Sequence, residues 1–282
     1  MDIQWPLVFF TLLTGLGAGT FAVVAAGEWR GKSERTRMPG AITALVALFA
    51  GGVASTFHLG HLERIFNALG HFGSGIMLEM LLVGLTGLAA LVYIVMLRTG
   101  YSAQIRKIVA AIGLVFAVIT SFAVGYSYVL PARPAWNTLL LPLVYLASAV
   151  VLGCFTMYVW TVLRKEDAPT LMTMNRATLI ALAVQAFLIL AYVVYLAAAP
   201  FQNPTRSVTR ILIGDLAPVF WIGLVLIGIL VPFFLTIQFL TTKKPSFSPM
   251  QAAVAGLICV IVGGLAFRAP MYLLGSSIEQ FF

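Results

Sequence analysis

The sequence predicts an all-α integral membrane protein, a bundle of eight transmembrane helices with both termini on the periplasmic or outer side. The first observation is composition, since hydrophobic residues make up 61% of the 282 residues and charged residues only 9%. A soluble domain carries about 25% charged residues. The second observation is the length of the apolar runs, and the third is the placement of Lys and Arg between them. No long polar stretch separates the runs, so residues 1–282 are predicted to form a single membrane domain.

Eight apolar segments are long enough, or nearly so, to cross the bilayer core, which takes about 20 helical residues. Because the segments are continuously apolar rather than alternating, helices are favoured over a transmembrane barrel. Prolines mark most connections: Pro39 is placed before the second span and Pro169 in the fifth connection. The second span is the shortest, and Gly51 and Gly52 interrupt it. The predicted spans are 6–26, 41–57, 75–97, 108–130, 139–163, 177–199, 216–241 and 250–274.

The basic residues are distributed unequally between the two sides of the predicted bundle. Twelve of the 17 Lys and Arg residues lie in the first, third, fifth and seventh connections, and four lie on the side of the termini. Short cytoplasmic loops carry the excess of Lys and Arg, so the second, fourth and sixth connections are predicted to face outward. The net charge of +8 is spread over short loops rather than along one stripe, which argues against nucleic-acid binding.

Two ionisable side chains inside the spans are candidates for function. Glu79 lies about five residues into the third span, roughly 7 Å deep, and Arg268 lies roughly 10 Å from the outer end of the eighth. Burying either charge requires a partner or a wet cavity. Two readings stay open: the residues form a structural ion pair, or both border a polar pocket.

The histidines and cysteines do not predict a metal or haem site. His58, His61 and His71 all lie around one connection, whereas a b-type haem usually takes two histidines from facing helices. Cys154 and Cys259 lie in apolar segments and cannot supply the four thiolates of an iron–sulfur cluster. His58 ends the second span, where it either bonds a backbone carbonyl or serves a site, and His61 and His71 are expected to be solvated.

The connection after the second span carries a recognisable motif. His58-Leu59-Gly60, followed by Arg64 and Asn67, resembles the H-L-G-x-x-x-R-x-x-N motif of the DmsC family. These proteins are the membrane anchor subunits of dimethyl sulfoxide reductase-type complexes, and the NrfD and PsrC anchors are more distant relatives. The resemblance covers essentially the whole chain. Glu79, Pro134-Ala135-Trp136, and Arg268 with Tyr272 also agree with it.

The resemblance implies a quinol-oxidising anchor of anaerobic respiration in the bacterial inner membrane. It would bind quinol near the outer face, menaquinol rather than ubiquinol, and pass electrons to a four-cluster ferredoxin-like iron–sulfur subunit that feeds a molybdopterin catalytic subunit. Quinol oxidation releases two protons, which His58 and Glu79 are suited to accept as the catalytic pair. The complete quinol site implied is His58, Arg64, Asn67, Glu79, Arg268 and Tyr272.

Two other classes of function remain open. A secondary transporter would use buried charges and broken helices, but its site usually lies near the midplane and its halves repeat. Here the polar residues gather at one face, and no convincing internal repeat is found. A passive anchor without a quinol site is the third reading. A bound-quinone measurement on the purified complex separates all three.

Overall fold

The computed structural model describes residues 3–57, 75–199, 202–242 and 244–274. Within these ranges every regular element is a helix, and eight helices are long and apolar enough to cross a membrane, which confirms the predicted fold class. The first six spans are α1 Trp5–Trp29, α2 Glu34–Thr56, α3 Gly75–Thr99, α4 Ala103–Tyr126, α5 Leu140–Leu163 and α6 Ala168–Ala198. A short helix, α7 Gln202–Leu212, precedes the seventh span. That span begins as a π-helix, Val219–Leu230, and continues as α8 Val231–Thr241; the eighth span is α9 Pro249–Leu274.

Three helices begin at least five residues earlier than the apolar runs predict. Helix α4 begins at Ala103 rather than at 108, and α2 and α6 differ by more. Helix α2 begins at Glu34 and contains Pro39, which the sequence placed before the span. Helix α6 begins at Ala168, because the Asp167 carboxylate accepts a hydrogen bond from the Thr170 amide at 3.1 Å and caps the helix. Pro169 then occupies the first turn, where its missing N–H costs no helical bond. Each extra segment carries charged or polar residues, so hydropathy alone places it outside the span.

Helix α7 was not predicted, because its residues were assigned to the sixth connection. It is a short amphipathic helix that buries Val208 and Ile211. The Arg210 guanidinium donates to the Leu273 carbonyl at 2.7 Å and pairs with Asp215 at 2.6 Å. These contacts fasten α7 to the end of α9.

Helices α1 and α5 form the centre of the bundle. Helix α1 packs against α2, α4 and α5, and α5 also contacts α6 and α9. Gly19 of α1 and Gly153 of α5 face each other so closely that a Cβ on Gly153 would overlap the Gly19 carbonyl. Because neither residue has a side chain, the two backbones touch directly.

The contacts at the two ends show that the first four helices alternate in direction. Glu28 near the end of α1 meets Arg37 at the start of α2, Tyr93 late in α3, and Arg106 at the start of α4. At the other extremity, the start of α1 meets the end of α2 and the start of α3 near Glu79. We name these the Glu28 end and the Glu79 end. Which end faces outward stays a prediction from the distribution of Lys and Arg.

Candidate functional site

A cavity of about 650 Å³ lies at the Glu79 end of the first four helices. Helices α2 and α3 supply most of its walls, the start of α1 lines one side, and the residues after α4 line another. Pockets for small organic ligands usually measure about 300–1,000 Å³ and combine apolar walls with a few polar groups. The lining has that character: it is largely apolar, and its polar side chains are Ser55, Thr56, Glu79, Ser127 and Tyr128.

Glu79 is the one carboxylate among the described residues that line this cavity. Its side chain is partly buried and is hydrogen-bonded to the Ser127 hydroxyl. That hydroxyl also donates to the Ala123 carbonyl at 3.2 Å, which occupies its only proton. While that bond is made, the Ser127 oxygen can accept a hydrogen bond from Glu79 in its carboxylic acid form. The pair therefore offers a partner for the protonated state of Glu79 at the cavity wall.

Tyr128 forms the wall beside this pair, just beyond the end of α4. Its hydroxyl lies 2.6 Å from that of Tyr272, and either one can be the donor. Burial is the largest of several causes that raise the pKa of Tyr128 well above its ordinary value. The phenol therefore stays protonated, and when Tyr272 donates to it, its own proton is free for a ligand. Tyr128 packs edge-on against Trp136, whose indole N–H donates to the Met271 carbonyl at 3.0 Å.

Arg268 lies near these aromatic side chains and is buried, with 1% of its surface exposed. Its Nη1 donates to the Ser148 hydroxyl at 3.2 Å and to the Gly264 carbonyl at 3.1 Å, and its Cζ lies 4.9 Å from the centre of the Tyr145 ring. Its Nε and Nη2 have no hydrogen-bond partner among the described residues. No described carboxylate lies within 4.0 Å of it, so the reading of a Glu79–Arg268 ion pair is wrong for this structure.

The predicted site residues fall into three groups. Glu79 lines the cavity, whereas Arg268 and Tyr272 lie outside the cavity lining. The Tyr272 hydroxyl contacts the cavity-lining Tyr128, and Arg268 packs over the Tyr145 ring. His58, Arg64 and Asn67 lie outside the described residues, as do His61 and His71. Helix α2 nevertheless brings Ser55 and Thr56 to the cavity wall.

Two polar side chains that the structure shows to be important, Tyr128 and Glu28, were not predicted from the sequence. Tyr128 was not among the predicted site residues. Its distinguishing signal is its position just after a span that ends opposite Glu79, and this is visible only once the helices are paired. Glu28 was overlooked because it falls just past the predicted first span. It is 1% exposed and lies 2.9 Å from Arg37 and 3.5 Å from Arg106, and the Tyr93 hydroxyl donates to it at 2.7 Å.

Within the described ranges, no group of three or more His, Cys, Asp and Glu side chains is placed to hold a metal ion. The three histidines lie outside these ranges, so the expectation of no haem stays a prediction.

Comparison with known families gives one clear result. The family model described as "Polysulphide reductase, NrfD" matches residues 1–274, nearly the entire chain. The comparison with curated proteins gives no match. The match lies at the level of the broader relatives named above, and the finer likeness to the DmsC family stays a prediction.

Proposed function

The chain belongs to the NrfD family, whose members are membrane anchor subunits of redox complexes, and on that basis we propose that it binds and oxidises quinol in the cavity beside Glu79. The observation that carries the proposal is the cavity itself. It has the volume of a small-molecule site and apolar walls, and its single described carboxylate lies at its polar end. A lipid-soluble ligand with a polar, proton-releasing head matches that arrangement.

The chemistry requires two proton acceptors and one electron acceptor. Quinol becomes quinone by releasing two protons and two electrons. We propose that Glu79 takes one proton from a quinol hydroxyl, with Ser127 as hydrogen-bond partner of the acid that forms. The second proton goes to His58, which follows the cavity-lining Thr56 by two residues in the chain. A general base of this kind typically contributes about 10²–10⁴-fold to the rate.

Tyr128 is suited to bind the oxygen that loses its proton. Its protonated phenol can donate a hydrogen bond to the quinone carbonyl as that carbonyl forms, while Tyr272 donates to Tyr128 in turn. Arg268 has no neutralising carboxylate among the described residues, so its positive charge makes the nearby Tyr272 hydroxyl a stronger hydrogen-bond donor to Tyr128. We therefore assign Arg268 and Tyr272 a supporting role that acts through Tyr128, with Arg64 and Asn67 as further candidates for binding quinol.

The electrons leave to a partner subunit. The chain is proposed to hold no redox centre of its own, so an iron–sulfur cluster of the partner must lie close to the cavity. We propose a four-cluster ferredoxin-like subunit that docks on the connections at the Glu79 end, 58–74, 131–138 and 200–215, and that passes electrons to a molybdopterin subunit. The DmsC-like identity, the preference for menaquinol and the bacterial inner membrane belong to this proposal.

The deciding experiment compares Glu79→Gln with Glu34→Gln in the assembled complex. Glu34 is an exposed glutamate in the first turn of α2, so the second variant makes the same chemical change away from the cavity. Glu79→Gln keeps the shape and hydrogen bonding of the side chain but removes its capacity to take a proton. Quinol-driven turnover should fall about 10²–10⁴-fold. Turnover driven by an artificial donor that reduces the catalytic subunit directly should be unchanged.

Two further measurements separate the alternatives. Quinone extracted from the purified wild-type complex should be stoichiometric with this subunit, and His58→Ala should lower that content. If Glu79→Gln and His58→Ala both leave quinol oxidation at the wild-type rate, the site is wrong. A complex without bound quinone that still assembles would favour the passive anchor, and solute uptake by vesicles containing the chain alone would favour a transporter.

A further inference from the structure

Three glycines line the cavity on the facing sides of α2 and α3. They are Gly52 on α2, and Gly84 and Gly87 on α3. A Cβ built on Gly52 or Gly84 would meet no atom within 4 Å, and one built on Gly87 would meet only the Leu45 side chain, at 3.8 Å. These glycines therefore do not serve helix packing. Their missing side chains leave open space between the two helices.

Neighbouring Gly51 shows the contrast. A Cβ there would lie 2.8 Å from the Thr14 hydroxyl, so Gly51 permits close packing of α2 on α1. Gly52, the next residue, faces the cavity instead. The glycine pair that appeared in the sequence to interrupt the second span thus has two separate uses: one glycine brings helices together, and the other keeps space between them.

The cavity wall at this gap is apolar and faces the membrane side of the bundle. Phe49 and Val53 of α2 and Met80 of α3 line the cavity and are also exposed, Phe49 by 73%. In a membrane-spanning segment, exposed apolar residues face lipid. The cavity therefore borders the bilayer along the line where α2 and α3 separate.

The polarity of the lining changes along the gap. The polar groups Glu79 and Ser127 lie at one extremity, and Gly87 lies eight residues farther along α3, about 12 Å by the helical rise. No described Lys or Arg lines the cavity. The negative carboxylate at the polar extremity therefore disfavours a phospholipid phosphate and suits an uncharged head carrying hydroxyl groups.

From this arrangement we infer that the gap between α2 and α3 is a lateral entrance that admits a quinol from the bilayer and holds its isoprenoid tail against Gly52, Gly84 and Gly87. The inference rests on the proposed function and adds to it the path by which the quinol enters and the residues that hold its tail. The head lies at Glu79, and the tail runs between the helices toward the lipid.

The test enlarges the side chain at position 84 in steps, with Gly84→Ala, Gly84→Leu and Gly84→Phe in the assembled complex. Leu190→Phe is the matched control, since Leu190 is an exposed apolar residue of α6, a helix that contributes no described residue to the cavity. Each complex is assayed with two quinols that share one head group, a long-tail isoprenoid quinol in vesicles and a water-soluble analogue with a short tail. Gly52→Leu repeats the test from the opposite wall.

Ala should be tolerated, because the added methyl group enters open space. Leu and Phe should raise the KM for the long-tail quinol, to about tenfold or more for Phe. The KM for the short-tail analogue should change less than about twofold, within the effect of a surface substitution. The content of copurified long-tail quinone should fall in the same order.

The outcomes separate this inference from the proposed function. Oxidation of both quinols with no dependence on side-chain size at positions 84 and 52, or an equal loss for both quinols, would overturn the entrance and leave quinol oxidation standing. A wild-type complex that oxidises neither quinol would overturn both proposals. Loss confined to the long-tail quinol supports both.

Discussion

Replacing Glu28 by Gln is the sharpest test of how the first four helices are held together. Glu28 is buried at the Glu28 end and is shared by Arg37, Arg106 and the Tyr93 hydroxyl, so each of four helices contributes one group. The amide keeps the size of the side chain but loses its charge. Two guanidinium groups, with side chains 7% and 17% exposed, are then left without their counter-charge.

The magnitude follows from this geometry. Breaking a buried ion pair by removing one partner costs about 3–5 kcal/mol, because the other charge is left uncompensated. Here two charges are left, but Arg106 is the more distant and the more exposed, so the total stays near that range. Tyr93→Phe removes only one hydrogen bond to a charged group and should cost about 1.5–3 kcal/mol. Arg37→Met should cost more than Arg106→Met, since Arg37 lies closer to the carboxylate.

The assay is thermal unfolding of the purified chain in detergent, followed by circular dichroism. Glu28→Gln should lower the midpoint by roughly 10 °C. Glu34→Gln, on the exposed start of α2, should stay within about 0.5 kcal/mol of wild type. If the two variants unfold at the same temperature, the carboxylate does not hold the helix ends together, and the reasoning from burial and charge is refuted.

Two further predictions concern helix packing and capping. Gly19→Ala should destabilise the chain by about 1–3 kcal/mol, since its Cβ would overlap the Ala149 carbonyl. In the same unfolding assay Gly52→Ala should be neutral or stabilising, because nothing lies within 4 Å of its Cβ. Hydrogen bonds from Thr170 lower the pKa of Asp167, so its stabilising effect is present above the ordinary Asp pKa of about 3.9 and is lost as the pH falls through the lower folded value. Asp167→Ala should therefore unfold at a lower temperature than wild type at neutral pH. Unfolding scans at several pH values should show the difference between the two midpoints shrinking in acid. A midpoint difference that is the same at every pH would contradict the cap.

The number and order of the spans could be predicted because apolar length is a local property of the sequence. The starts of α2, α4 and α6 could not, since hydropathy does not report the contacts made there. Asp167 caps α6, and Glu28 pairs with Arg37 near the start of α2 and with Arg106 near the start of α4. Helix α7 was missed for a related reason: it is too short and polar to register as a span, and it is held by the contacts of Arg210 with Leu273 and Asp215.

The candidate site was predictable only in part. Glu79 stands out because a carboxylate inside an apolar run is costly, and the structure places it on a cavity wall. Arg268 stands out for the same reason, but its distance from Glu79 depends on how the helices are rotated, which cannot be read from a single sequence. Glu28 shows the limit most clearly. Its partners were counted among many basic loop residues, and nothing local distinguishes Arg37 and Arg106 from the others.

The two ends of the first four helices are held together by different contacts. At the Glu28 end charges join the helices, whereas at the Glu79 end α2 and α3 are separated by the cavity. A tilt of α3 about the joined end changes its spacing from α2 at the other end. Tyr93 and Glu79 lie fourteen residues apart on α3, about 21 Å, so a tilt of roughly 5° about the joined end moves the Glu79 end by about 2 Å. A ligand entering from the bilayer would then widen its own path while the far end of the helices stays in register.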